Sequence, residues 1–138
     1  MELTTADALQ RATEADHGIL ATVHPSRGVD AVPACFVIDG DVVAIPVDRV
    51  KPKRSTELQR IRNLEADPRA TLLCEHWDAA DWSRLWWVRL ALVRSTETAA
   101  VVTGLETQLT RRYPQYASTT FARILTFRIV EIAGWSAS

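Results

Sequence analysis

The chain has 138 residues and a formal net charge of −1 at pH 7, with 47% hydrophobic and 24% charged residues, which is the composition of one globular domain rather than of a disordered segment. So even a balance, with a pI near 6.3, argues against nucleic-acid binding, which calls for a basic excess over a whole face. The start, MELTTADALQRATEAD, has neither a basic n-region nor an apolar h-region, and no run of about eighteen apolar residues occurs, so the reading is a cytoplasmic protein that neither enters nor spans a membrane.

Thr4 or Thr5 caps a first helix predicted to run to about Ala15, with Ala8, Leu9, Ala12 and Ala15 near helical spacing. Two β-branched-rich segments follow, GILATVHP at 18–25 and AVPACFVID at 31–39, around the turn-like Ser26-Arg27-Gly28. Asp39-Gly40-Asp41 then marks a hairpin, because an Asp-Gly pair between apolar runs supplies the positive φ of a tight turn. DVVAIPVD at 41–48 is the third strand.

The stretch 51–69, KPKRSTELQRIRNLEADPR, carries six basic residues against Glu57, Glu65 and Asp67. Lys51, Lys53 and Arg54 precede Ser55, a good N-cap, and Leu58, Ile61 and Leu64 recur on one face, predicting a helix from about Ser55 to Ala66. Cations beside a helix N-terminus suit a phosphate or carboxylate; the competing reading is an ordinary solvated loop. Asp67-Pro68-Arg69 is a turn into a fourth strand, ATLLCEHW. LWWVRLALV is the fifth, placing Trp86, Val88, Leu90 and Leu92 on one face and Trp87, Arg89, Ala91 and Val93 on the other. A helix follows from about Glu97 to Arg112, with Val101, Leu105 and Leu109 at its apolar spacing, and FARILTFRIVEIAGW is the sixth strand.

Hairpin-linked strands with few helices predict a mainly β, α+β architecture: one antiparallel sheet or small barrel of six strands, as a single domain over 1–138. Trp77, Trp82, Trp86 and Trp87 serve equally as stacking surfaces and as core or interface anchors. Cys35 and Cys74 read as reduced core thiols. Cys74 and His76 share a strand face, but no further ligand stands at a recognisable spacing, so no metal is expected; without a Gly-x-Ser-x-Gly elbow, no serine triad is either.

Taken together, GILATV at 18–23, AVPACFVIDGD at 31–41, KPKR with IRNLEADPRATLL at 51–73, EHW with DWSRLWWVR at 75–89, and RRYPQY at 111–116 resemble the FMN-binding split β-barrel of the pyridoxamine-phosphate-oxidase type. Within it they resemble the branch of deazaflavin-dependent oxidoreductases. A glycine is expected after Val88-Arg89, where Leu90-Ala91-Leu92 stands. The resemblance implies a six-stranded split barrel and a homodimer with its two cofactor sites in grooves between subunits. It places the cofactor phosphate at Lys51, Lys53 and Arg54 and the ring at Pro33, Ala34, Val47 and Asp48, with Trp77, Trp86 and Trp87 contributed by the same or the partner subunit. The spread of charge through Arg60 favours the long anionic tail of the deazaflavin coenzyme F420 over FMN, the alternative. The implied activity is hydride transfer to a small organic substrate, the rival being a cofactor-binding protein without turnover. No catalytic side chain is readable, and none is required where the cofactor supplies the chemistry.

Overall fold

A computed structural model describes residues 1–48, 55–117 and 121–138. Helix α1 (Thr5–Glu14) begins as predicted, with the Thr4 hydroxyl accepting from the Asp7 N–H. Strands β1 (Gly18–His24), β2 (Gly28–Ala34), β3 (Val37–Asp39) and β4 (Val42–Asp48) follow, then α2 (Ser55–Ala66), β5 (Arg69–His76), β6 (Trp86–Ser95), α3 (Ala99–Arg112) and the long β7 (Phe121–Ser136). All pairings are antiparallel, in the order β2-β1-β5-β6-β7-β4-β3.

Among the described residues seven strands stand where the sequence suggested six. The segment 31–39 does not run through: it breaks at Cys35 and Phe36, and its two halves pair with different neighbours, β2 with β1 and β3 with β4. At the break the Phe36 side chain is fully buried, and its N–H donates to the Tyr113 hydroxyl (3.2 Å) instead of to a strand. An apolar run reads as one strand whether or not it changes partner, so periodicity alone does not reveal such a corner.

That corner sets the shape of the whole sheet. β2 and β3 are its two outermost strands, yet Ala34 and Val37 are three residues apart, so their Cα atoms lie within about 11 Å. The edges of a flat seven-stranded sheet would be roughly 29 Å apart. The sheet must therefore curl until its edges nearly meet, which makes an open barrel split beside β2 and β3.

Strand alternation fills the interior. Leu20, Leu72, Val88, Leu90, Leu92, Ile45, Leu125 and Phe127 point inward and are fully buried, each large side chain contributing about 1.5–3 kcal/mol. Helix α1 packs at one end through Ala8 and Ala12. Its close approach requires Gly134, where a Cβ would lie 3.1 Å from the Ala8 Cβ and 3.2 Å from the Trp87 carbonyl oxygen. Helix α2 contributes Leu64 and Ile61 to the same core. Helix α3 covers the outside of β3 and β4 through Leu105 and Leu109; Val101, expected on that face, is exposed in the first turn. Gly40 takes the positive φ (62°) expected of the Asp-Gly turn. Cys74 is buried and Cys35 half-buried, and both are free thiols.

Candidate functional site

The split leaves two strand edges open. β3 pairs with only Val42–Ala44 of β4, so the side of β4 away from β7 carries no partner beyond Ala44 among the described residues. Pro46 sits on that stretch, where its missing N–H costs nothing. β2 bonds only to β1, leaving its other edge free among the described residues. Beside β2 lies a hollow of about 180 Å³, lined by Arg27, Val29, Asp30 and Ala31 on one side and by Gln59 and Arg60 of α2 on the other.

Asn63 holds α2 in this position. Fully buried, it donates from Nδ2 to Thr22 Oγ1 (3.0 Å) and Asp30 Oδ2 (2.8 Å), and its Oδ1 accepts from Gln59 Nε2 (2.9 Å). The amide is thus satisfied on both sides, as burial demands. The Asn63 hydrogen bond, opposed by burial and reinforced by Arg27, keeps the Asp30 carboxyl below the ordinary carboxylate range. Arg69 pulls Asp67 down to about 2 in the turn leaving α2, and Arg128, bridging Asp41 and Glu97, lowers Glu97. Carboxyls depressed in the folded state contribute stability above their unfolded pKa values near 4, and it is lost as pH falls toward 2. Thermal melts should therefore give a flat Tm above about pH 5 and a fall below about pH 4; a Tm constant down to pH 2.5 would contradict these pairings.

The residues expected to bind a cofactor are dispersed. Lys51, Lys53 and Arg54 lie outside the described residues. Arg60 is half-buried in the hollow beside β2. Pro33 is exposed on the outer face, whereas Ala34 and Val47 point inward as members of one core cluster; the backbone of Asp48 ends β4 opposite Phe121. Trp86 and Trp87, adjacent in the chain, face opposite sides. Trp86 packs against the core with Arg11 of α1 over its ring, while Trp87 lies outside, opposite Trp135 and under Arg89. Trp77 and Trp82 are 59% and 66% exposed and stack on one another, centroids 5.8 Å apart. The sequence reading gave no role to Asn63 or Trp135; the strand register places the second opposite Trp87, and the first stood only within the Ile-Arg-Asn-Leu run that carries the resemblance.

Part of the outer face of the sheet is mainly apolar. Ala21, Val23, Val29, Thr71, Ala91 and Val93, with Arg69 among them, line an open hollow of about 380 Å³ to which no helix of the described residues contributes. Val29 and Val130 on its border are 63% and 62% exposed. Among the described residues no group of three or more His, Cys, Asp or Glu is placed to hold a metal, and no helix is long and apolar enough to cross a membrane.

No protein-family model matches the chain, and no curated protein does. Solved structures match its fold. A conserved hypothetical protein from Mycobacterium tuberculosis is 17% identical with a TM-score of 0.75, over 98% of this chain and 86% of that one. A protein described as a candidate pyridoxamine 5′-phosphate oxidase from Corynebacterium glutamicum is 13% identical (TM-score 0.61, 99% and 98% covered). An F420 reductase is 18% identical (TM-score 0.60, 94% and 95% covered). FAD-binding and haem-storage proteins are also among the matches. The chain thus shares its fold with these solved structures, whose own descriptions name different cofactors.

Proposed function

We propose that the chain is a cytoplasmic oxidoreductase of this fold, a homodimer that binds a flavin-type cofactor, F420 in preference to FMN, and transfers hydride between it and a small organic substrate. The observation that carries this reading is the fold itself, shared over nearly the full length with flavin- and F420-associated proteins. Two features of the chain support it. The segment 51–54, Lys-Pro-Lys-Arg, provides cations for an anionic tail, and α2, which follows it, brings Arg60 to the free edge of β2. The outer face of the sheet, uncovered among the described residues, suits a second copy, which would turn an open hollow into a closed groove.

The residues fit a planar ring with an anionic tail: an apolar strand surface bearing exposed Pro33 next to a hollow holding a half-buried arginine. The bound cofactor supplies the hydride chemistry. The chain's part is to bind the tail through Lys51, Lys53, Arg54 and Arg60, to orient the ring against the strand surface, and to exclude water by pairing subunits. Lys53→Ala should weaken cofactor binding by about 1.5–3 kcal/mol, the range for a charge-assisted hydrogen bond, with the melting temperature of the unliganded protein nearly unchanged. Affinity equal to wild type in that variant, read by fluorescence titration, would remove Lys53 from the site.

A further inference from the structure

The outer face of the sheet has two unlike ends, and the strand register makes each the complement of the other. In the order β2-β1-β5-β6-β7, β5 has two strands on each side. Its residues Arg69, Thr71, Leu73 and Glu75 point outward, alternating with the buried Ala70, Leu72 and Cys74. At one end Glu75 is in register with Trp87 of β6, and Trp87 with Trp135 of β7. At the other, Val23 of β1 stands beside Arg69, one step past the Thr22–Ala70 pair, and Val23 is in register with Val29 of β2. One row therefore reads carboxylate, indole, indole, and the other guanidinium, valine, valine.

The first row projects and the second recedes. Trp87 carries the Arg89 guanidinium 5.4 Å from its ring centroid and Trp135 is 36% exposed, whereas Arg69, Val23 and Val29 line the open hollow of about 380 Å³. A two-fold axis normal to the sheet at Leu72 reverses β5 and exchanges the strands beside it, β6 for β1 and β7 for β2. It lays Glu75 on Arg69, Trp87 on Val23 and Trp135 on Val29, and does so twice, because each copy offers both rows. The charges agree with this. Glu75 is exposed and makes no ion pair among the described residues, and Arg69 keeps its side chain 75% exposed although it reaches Asp67. Large rings seated on small side chains and bordered by opposite charges are what a specific contact uses. Five strands spaced about 4.8 Å apart, over the span from Arg69 to Glu75 at about 3.3 Å per residue, present roughly 500–600 Å² in projection. As accessible area this is more, and it approaches the standard interface of about 800 Å² per partner.

We propose that the chain pairs with a second copy about a two-fold axis through β5 at Leu72, with Arg69 of each copy against Glu75 of the other and the Trp87–Trp135 row of each seated on the Val23–Val29 row of the other. The contact rests on the homodimer reading and deepens it by fixing which residues meet.

Sedimentation of the full chain carrying charge reversals tests the contact. Glu75→Arg sets arginine against arginine at both contacts, and Arg69→Glu sets glutamate against glutamate, so each variant alone should dimerise at least about tenfold more weakly than the wild type. An equimolar mixture of the two should recover the dimer, because both contacts of the mixed pair again join arginine to glutamate. Damage to the fold of either variant would not be repaired by the other chain. Trp135→Ala should weaken the dimer as well, and it keeps the test decisive should Arg69→Glu, beside Asp67, fold poorly. A wild-type dimer that tolerates both reversals, a mixture of folded variants that stays monomeric, or undiminished association in Trp135→Ala would overturn this contact and leave the homodimer reading in place. A wild-type chain that is monomeric at micromolar concentration would remove both.

Discussion

Phe36→Ala should lower the unfolding free energy by about 3–5 kcal/mol, the cost of truncating a fully buried aromatic, and the melting temperature by roughly 10–15 °C. Phe36 occupies the corner where the chain leaves one edge of the sheet for the other. Its ring is buried beneath the Arg112 guanidinium, whose centre is 5.3 Å from the ring centroid. Arg112 in turn donates to the backbone carbonyls of Thr13 and Ala15, and the Tyr113 hydroxyl meets the Phe36 backbone and the Asp16 carbonyl. Arg112 and Tyr113 therefore join the corner, the end of α1 and the end of α3, and loss of the Phe36 ring beneath Arg112 leaves a cavity at the point where the barrel curls. Urea denaturation would measure the effect. A loss below about 1.5 kcal/mol would mean that the surroundings collapse around the gap and that the corner is held by the backbone contacts alone.

The second large effect concerns association. If a second copy covers the outer face, Ala91 lies near the centre of the contact, between Thr71 of β5 and Glu131 of β7 in register. Ala91→Asp puts a carboxylate where a monomer leaves water access and a dimer removes it. Taking that charge out of water costs several kcal/mol, which Arg89 on the same face and Arg69 in the same hollow offset only in part, so the dimer should weaken by about tenfold or more, at about 1.4 kcal/mol per tenfold, while the monomer stays folded. Sedimentation should give twice 15.4 kDa for the wild-type chain and the single mass for the variant. A wild-type monomer at micromolar concentration would refute the interface.

The elements were largely legible in the sequence, because their signals are local. Thr4 before an alanine-rich helical run, Asp39-Gly40 between apolar segments, and the alternation Val88, Leu90, Leu92 each place a backbone state within a few residues. What escaped depends on partners distant in the chain. The break at Cys35–Phe36 exists because β3 pairs with β4 and Tyr113 receives the Phe36 N–H across 77 residues. Asn63 is a core residue only because Thr22 and Asp30 come to it; in the sequence it is one polar residue on a polar helix. Alternation along β6 already separated Trp86 from Trp87, while the stacking of Trp77 on Trp82 is a product of the loop between β5 and β6. The basic segment was the plainest candidate signal, because charge concentrated in a nearly neutral chain needs no fold to be visible.

The measurement that bears most directly on the central claim is a side-by-side titration of the purified chain with F420 and with FMN at fixed ionic strength, followed by visible absorbance and fluorescence. Saturable binding of a flavin-type cofactor, tighter for F420 and weakened by added salt, is the predicted result. Tighter binding of FMN would overturn the choice of cofactor while keeping the class. Binding of neither would contradict the account.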